Sequence, residues 1–315
     1  MKLRSILKKR RKPIIWGCIA AVAAAVLVFL HIGSTAVSVN DHEVHLPHLA
    51  PADDGLRVMI VSDTHFHSGD AGRAAALAEM VNRETPDLIL LLGDFINGSP
   101  DPRGSLSMPD LTRFVKQLRA RCGIFAVTGN HELWYGRDKV VSALRDAGAE
   151  VLLNQAVTVG TPSGGKLQIV GISDYTTQEP PETFPKIDEK LPTLVMMHDP
   201  NGARFVPAGL DCFIVAGHTH GGELRMIPNG GARTSLRLTV VRIKGKLGQI
   251  PDYQRPYALF DQGFTNYHGR RIFITRGVGM SRLRMRIFCP PEMVLLKFRS
   301  DPDAEKNTYV TPEEL

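Results

Sequence analysis

The stretch LRVMIVSDTH, residues 56–65, is a short apolar run that ends in ligand-type side chains. Three residues of the apolar run, Val58, Ile60 and Val61, are β-branched, which is typical of a strand. Its lack of polar alternation is typical of a strand buried on both faces. The stretch therefore predicts an interior strand of a covered sheet, with Asp63 and His65 just beyond its carboxyl end.

The same pattern recurs along the chain. Further apolar runs are DLILLLGDF, GIFAVTGNHE, KLQIVGISD, TLVMMHDP, DCFIVAGHTH, RIFITRGVG and EMVLLKF. Between the early runs lie segments that favour helices: residues 72–85, a segment capped by Asp110, and one that Gly148 is predicted to end. The second half of the chain is richer in strands. We predict an α/β fold, a two-sheet α/β/β/α sandwich with flanking helices.

Five of the runs end in side chains that can bind metals. They are Asp63 and His65, Asp94, Asn130 and His131, His198, and His218 and His220. The carboxyl ends of parallel strands meet at one edge of a sheet, so these side chains are expected in one crevice. Each alone fits a turn, a helix cap or a structural histidine. Five such strand ends together favour a site.

The residue types indicate the chemistry of that site. Imidazole and carboxylate suit zinc, iron and manganese, and the lack of cysteine disfavours a structural zinc site. Eight ligand-type groups are too many for one ion, whereas a bridging carboxylate makes a centre with two ions about 3.5–4 Å apart. Such a centre produces a hydroxide nucleophile at neutral pH, which predicts phosphoester hydrolysis.

The ordered set D-x-H, G-D, G-N-H, H and G-H-x-H resembles the calcineurin-like metallophosphoesterases, from about Leu56 to Phe298. The resemblance implies that Asp63, His65 and His220 hold a first divalent ion and that Asn130, His198 and His218 hold a second. It also implies that Asp94 bridges the ions and that His131 contacts the phosphate and protonates the leaving oxygen. Manganese, zinc and iron all remain open as the native metals.

The apolar N-terminal segment, GHTHGG (217–222) and RGVG (276–279) followed by CPPE (289–292) resemble the membrane-associated bacterial branch of that family. That branch includes phosphodiesterases and the UDP-2,3-diacylglucosamine pyrophosphatases of lipid A biosynthesis. A membrane-anchored hydrolase of phosphodiester or pyrophosphate bonds is therefore expected. A non-catalytic scaffold stabilised by metals is the alternative from a different class, and His131 argues against it.

The charge of the chain is concentrated at its N-terminus. Residues 1–12 contain seven Lys or Arg and no acid, so the net charge of +6 is not evidence for nucleic-acid binding. Residues 14–30 carry no charge and no proline, and at about 1.5 Å per residue they nearly span a hydrocarbon core of roughly 30 Å. The basic flank is expected to stay in the cytoplasm, with the catalytic domain on the other side of the inner membrane.

The predicted organisation is a basic head (1–13), a transmembrane helix (14–32), a connector (33–55), the catalytic domain (56–300) and a polar tail (301–315). Cleavage of the N-terminal segment as a signal peptide near Ser34–Ala36 is the alternative, and Arg10–Arg11 also permits twin-arginine export. The sequence does not predict an oligomeric state.

Other histidines and glycines have simpler interpretations. Residues 42–49 contain three histidines, but their alternation favours a short strand over a metal site. His67 is interpreted as an exposed side chain or a support for the site. Gly217, Gly221 and Gly222 are expected to let the backbone turn beside the ions.

Two segments are notably basic. They contain Arg225, Arg233, Arg237, Arg242, Lys244, Lys246 and Arg255 in the first, and Arg282, Arg284 and Arg286 in the second. Each is interpreted either as a solvated face or as a surface for anionic lipid headgroups or an anionic substrate. Together with the predicted anchor, the second interpretation favours an amphiphilic or membrane-proximal substrate.

Overall fold

The computed structural model describes residues 15–25, 28, 32–97, 108–173, 184–226, 262–267, 269–280 and 285–301. Within these ranges, twelve strands form two six-stranded mixed sheets. The two-sheet α/β prediction is thereby confirmed.

The first sheet contains, in spatial order, β1 (Ser38–His45), β12 (Glu292–Arg299), β2 (Leu56–Val61), β3 (Leu88–Leu91), β4 (Ile124–Ala126) and β5 (Glu150–Val151). Strands β2 to β5 are mutually parallel. Their carboxyl ends therefore lie at one edge of the sheet, as predicted.

The second sheet contains, in spatial order, β10 (Gly263–Tyr267), β11 (Arg270–Ile274), β9 (Phe213–Ala216), β8 (Thr193–Met197), β7 (Lys166–Ile172) and β6 (Gln155–Gly160). Its four central strands are parallel, and β6 and β10 pair antiparallel at its edges. The ends of β8 and β9 thus also point to a common edge.

The two sheets pack face to face. Val58 and Ile60 of β2 lie in the core between the sheets with Leu194 and Met196 of β8. The alternate residue Met59 points to the opposite face, where helices cover the sheet. Because both faces of β2 are buried, the strand is apolar apart from Arg57 near its start.

Helices Ala71–Arg83, Met108–Gln117 and Arg137–Asp146 cover the outer face of the first sheet. A short helix of 3-10 type, Pro200–Phe205, covers part of the outer face of the second sheet. The two outer surfaces are therefore covered by different types of helix.

The predicted helix boundaries were partly wrong. Asp110 lies inside the first turn of its helix and does not cap it, because the helix already begins at Met108. Pro109 favours this earlier start, since proline is well tolerated in the first turn of a helix. Gly148 follows the end of its helix with a positive φ of 100°, and its N–H donates to the carbonyl of Arg145. The predicted glycine stop is confirmed.

The segment 33–55 contributes a strand to the catalytic fold. Strand β1 pairs in parallel with β12 along its whole length. The strand predicted for residues 42–49 thus begins earlier, at Ser38, and ends at His45. The ring of His42 packs against those of Phe264 and Phe273, an arrangement that supports the structural interpretation of this histidine.

Among the described residues, no helix combines the length and the apolar character that crossing a membrane requires. The predicted transmembrane helix over 14–32 is therefore not supported by the structure. Residues 14, 26–27 and 29–31 of that segment lie outside the described residues, as do the basic head and residues 302–315 of the tail.

Candidate metal centre

The loops after β2, β3, β4, β8 and β9 meet where the edges of the two sheets adjoin. They form two clusters of ligand atoms that lie within 4.8 Å of one another: Asp63, His65, Asp94 and His220, and Asp94, His198 and His218. Asp94 belongs to both clusters. The structure thus brings together six of the seven residues that the sequence assigned to two ions, with His218 and His220 in different clusters, and the assignment of the seventh, Asn130, stays a prediction.

We call Asp63, His65 and His220 the enclosed half-site. The Nε2 atoms of His65 and His220 lie 3.1 Å apart, and His220 Nε2 lies 3.4 Å from Asp63 Oδ1. His65 Nε2 lies 3.7 Å from Asp94 Oδ2. Nitrogen and carboxylate atoms directed at a common point, all buried, suit a cation.

We call Asn130, His198 and His218 the open half-site. His198 Nε2 lies 3.3 Å from Asp94 Oδ2 and 3.1 Å from His218 Nδ1. Within the described part of the chain, the buried Oδ1 of Asn130 has no hydrogen-bond partner. A buried amide oxygen without a partner is costly, and a metal at this position would satisfy it.

The backbone at the site adopts an unusual conformation. Ten non-glycine residues of the described chain have a positive φ, and half of them belong to the two clusters. They are Asp63 (54°), His65 (42°), Asp94 (51°), His218 (70°) and His220 (53°). Such conformations cost energy and concentrate at functional sites, where the surrounding structure imposes them.

Glu132 holds two of the loops together, and the sequence interpretation missed it. Its buried carboxylate accepts hydrogen bonds of 2.8 Å from the backbone N–H groups of Asp94, Phe95 and Gly129. Burial, together with the charge of Asp94, raises the pKa of Glu132 to about 7. A glutamate three residues after a helix-capping glycine was the available signal.

Glycine is required at two positions because neighbouring atoms lie too close to leave room for a Cβ atom. A Cβ atom at Gly129 would lie 2.4 Å from Asp94 Oδ1. A Cβ atom at Gly217 would lie 2.0 Å from Ser62 Oγ and 2.7 Å from Asp63 Oδ2. Gly217 was predicted to allow a turn, and its main constraint proves to be the space that Ser62 and Asp63 occupy.

The pKa values of Asp63 and Asp94 are shifted in opposite directions. Burial alone would raise the pKa of Asp94, but His198, His65 and His131 together hold it well below its usual range. Burial and the charge of Asp94 raise the pKa of Asp63 to about 6. A buried pair of carboxylates that repel each other is stabilised by cations, so these residues fit a metal centre.

His131 lies beside the shared carboxylate. Its Nε2 is 3.8 Å from Asp94 Oδ2, and its backbone N–H donates to Asp94 Oδ1. Its ring contacts those of His65 and Trp134, at centroid distances of 4.6 and 4.7 Å. This position is compatible with a proton donor next to a bound phosphate, and that role stays a prediction.

Three acceptors behind the histidines complete the site. His198 Nδ1 lies 2.8 Å from the carbonyl oxygen of Leu92, so Nδ1 is the protonated nitrogen and Nε2 faces the cluster. Asp199 Oδ2 lies 4.0 Å from His218 Nε2, and Glu223 Oε1 lies 3.7 Å from His220 Nδ1. The Leu92 carbonyl thus fixes the tautomer and orientation of His198, whereas the two carboxylates lie within ion-pair distance of their histidines.

The prediction of an exposed basic face is wrong for Arg286. This side chain is 1% exposed, and its guanidinium donates to the carbonyl oxygens of His220, Arg276 and Gly279. It joins RGVG (276–279) to the loop that carries His220. A guanidinium with five donors can be buried when backbone carbonyls surround it.

Arg225 is buried as well and donates from Nε to the carbonyl of Gly221. The remaining residues of the predicted basic surface lie outside the described residues: Arg233, Arg237, Arg242, Lys244, Lys246, Arg255, Arg282 and Arg284.

Comparisons with known proteins agree with this geometry. A family model described as calcineurin-like phosphoesterase matches residues 56–222, which include the loops of both clusters. Phosphodiesterase YaeI of Escherichia coli is 29% identical, over 68% of this chain and 71% of that protein.

Two further relatives match over most of their length. An uncharacterized metallophosphoesterase of Aquifex aeolicus is 24% identical, over 88% of this chain and 98% of that protein. The UDP-2,3-diacylglucosamine pyrophosphatase LpxG of Chlamydia trachomatis is 23% identical, over 89% of this chain and 96% of that protein. Since the family model covers more than half of the chain, the protein belongs to the calcineurin-like phosphoesterase family.

Proposed function

We propose that the protein hydrolyses phosphodiester or pyrophosphate bonds with two divalent ions, one at each half-site. The observation that carries the proposal is the carboxylate of Asp94, shared by two clusters of ligand atoms, with His131 Nε2 3.8 Å away. When bound, such ions acidify a water molecule and neutralise charge on the phosphoryl group. Manganese, zinc and iron are the metals that suit these ligands.

The chain itself supplies orientation and proton transfer. The carbonyl of Leu92 holds the tautomer of His198, while Glu132 fixes the backbone on both sides of Asp94. His131 is the proposed general acid for the leaving oxygen, because it lies beside the shared carboxylate. Trp134, half exposed, packs against it at the rim.

The experiment is hydrolysis of bis-p-nitrophenyl phosphate by the full chain with added manganese. We expect turnover that a chelator abolishes and that manganese restores. A protein that binds manganese but hydrolyses neither this diester, nor p-nitrophenyl phosphate, nor a nucleoside diphosphate ester would be the metal-stabilised scaffold instead.

We propose in addition that the N-terminal segment attaches the enzyme to the inner membrane. In support, large apolar side chains of this segment face outward: Ile15 is 55% exposed, Trp16 69% and Val22 64%. The seven basic residues before it favour a cytoplasmic N-terminus and a catalytic domain outside the cytoplasm. Alkaline phosphatase fused after residue 315 would be active if the domain is exported and inactive if it is not.

A second candidate is hydrolysis of the pyrophosphate bond of UDP-2,3-diacylglucosamine in lipid A biosynthesis. The observation in its favour is the similarity to LpxG over nearly the full length of both proteins. This nucleotide-linked lipid is made in the cytoplasm. An active phosphatase fusion would therefore count against this candidate, and an inactive fusion together with release of UMP from the lipid would support it.

A further inference from the structure

A cavity of about 330 Å³ opens beside the enclosed half-site. His65 forms part of its wall, so whatever fills the cavity lies next to the candidate metals. Most of the remaining lining is apolar: Val37, Ala76, Leu77, Met80, Val278 and Met280. This volume and composition lie within the range of small-molecule sites, which are mostly apolar with a few polar groups.

Three separate parts of the chain build the cavity. Val37 directly precedes β1, and Leu77 and Met80 belong to the helix Ala71–Arg83. Val278 and Met280 come from the segment that Arg286 ties to the loop of His220. The lining of the cavity thus includes residues that follow the N-terminal segment as well as His65 of the candidate metal centre.

The polar side chains at the cavity already have partners in the protein. Arg73 donates to the carbonyl of Thr64 at 2.8 Å, pairs with Asp70 and lies over the ring of Phe66. Asp70 also accepts a hydrogen bond from the backbone N–H of His67. A ligand in the cavity therefore interacts mainly with apolar side chains.

We propose that this cavity binds an alkyl chain carried by the substrate, an inference that rests on the proposed phosphoesterase function. A phosphoester placed at the two half-sites has its phosphorus beside His65, and an apolar substituent of that ester can enter the adjoining cavity. Two methionines in the lining favour a flexible chain, because their unbranched side chains adapt to irregular shapes. The substrate class is therefore an amphiphilic phosphoester.

Ala76 offers a way to fill the cavity from the surface. It is an exposed helix residue that lines the cavity, so Ala76→Trp occupies cavity volume without removing a core side chain. Glu79 is exposed on the same helix and does not line this cavity. Glu79→Trp is therefore the matched control.

The substrates are methyl and hexyl p-nitrophenyl phosphate, assayed with manganese and the full chain in nanodiscs. Each ester partitions into the nanodisc lipid to the same extent whichever variant is present. The ratio of wild-type to variant kcat/KM therefore reports the effect of the substitution on binding in the cavity. Burial of each methylene contributes roughly a 2- to 4-fold effect. For Ala76→Trp we expect a ratio of at least about 10 with the hexyl ester and about 1 with the methyl ester. For Glu79→Trp we expect about 1 with both.

Equal ratios for the two esters in Ala76→Trp would overturn the proposal. Calorimetry of hexylphosphonate and methylphosphonate binding to the wild type and Ala76→Trp distinguishes failure of the cavity proposal from failure of the proposed function. One outcome is that no ester is hydrolysed, while the wild type binds hexylphosphonate more tightly than methylphosphonate and Ala76→Trp does not. The cavity proposal then stands and the phosphoesterase proposal fails. If both esters are hydrolysed but neither protein prefers hexylphosphonate, the cavity proposal fails and the phosphoesterase proposal stands.

Discussion

The two half-sites share Asp94 but differ in their access to solvent. The side chains of Asp63 and His65 are fully buried and that of His220 is 3% exposed. In the open half-site His198 is fully buried too, and the difference comes from His218, which is 16% exposed. We therefore expect the enclosed half-site to retain its ion and the open half-site to exchange its ion with the medium.

The half-sites also differ in the groups that lie behind their histidines. Behind His220 lie Glu223 and the guanidinium of Arg286, both buried. Behind His218 lies Asp199, whose Oδ1 is already engaged by the backbone N–H of Asn201. The enclosed half-site is thus supported behind His220, whereas the open half-site is supported behind both of its histidines, because His198 Nδ1 also lies 2.8 Å from the carbonyl oxygen of Leu92.

The largest effect is expected for Asp94→Asn, which removes the shared charge and so affects both half-sites. Hydrolysis should fall by about 10,000-fold, equivalent to about 5 kcal/mol of lost stabilisation, and metal content should fall at both positions. Asparagine retains an oxygen that can accept the N–H of His131, so circular dichroism should show a folded protein. Near wild-type turnover with added manganese would contradict the shared role of Asp94.

His218→Ala should affect the open half-site alone. We expect about a 1,000-fold loss of hydrolysis, because one of two ions supplies several kcal/mol of charge stabilisation. Mass spectrometry of the metals should then find one ion per chain where the wild type holds two. Loss of both ions would show that the half-sites do not hold metal independently.

His131→Asn tests a residue that contacts both the shared carboxylate and the enclosed half-site. Removing a general acid lowers the rate by about 100-fold or more. We expect that loss in kcat with two ions still bound, and a smaller loss with esters whose leaving group needs no proton. An equal loss for good and poor leaving groups would rule out proton donation.

The smallest effects are expected for the carboxylates behind the histidines. Asp199→Asn should weaken metal binding at the open half-site by about 10- to 100-fold, with activity recovered at high manganese concentration. Glu223→Gln should have the corresponding effect on the enclosed half-site. The two half-sites would be energetically equivalent if each substitution weakened both ions to the same degree.

The sequence predicted the structure correctly where a local pattern of residues determines it. Apart from Arg57, the run 56–61 is apolar on both faces, so an interior strand was its natural interpretation, and the parallel neighbour β3 then brought Asp63 and Asp94 to one edge. Prediction from the sequence failed for Arg286, because this residue lies in a loop beside the isolated bridge of Ile287, where strand alternation does not apply, and backbone carbonyls from distant segments surround it. It missed Glu132 and Asp199, because neither lies in a pattern that differs from an ordinary turn or helix start.

The order of ligand-type residues along the chain was enough to predict a metal-dependent phosphoesterase, since the strand ends carry the chemistry in their own residue types. The division of those residues into an enclosed and an open half-site required the folded chain. His65 and His220 are 155 residues apart in sequence, and their nitrogens meet at 3.1 Å only because the two sheets pack face to face. The cavity beside them has the same origin, because its walls come from three segments that no local pattern connects.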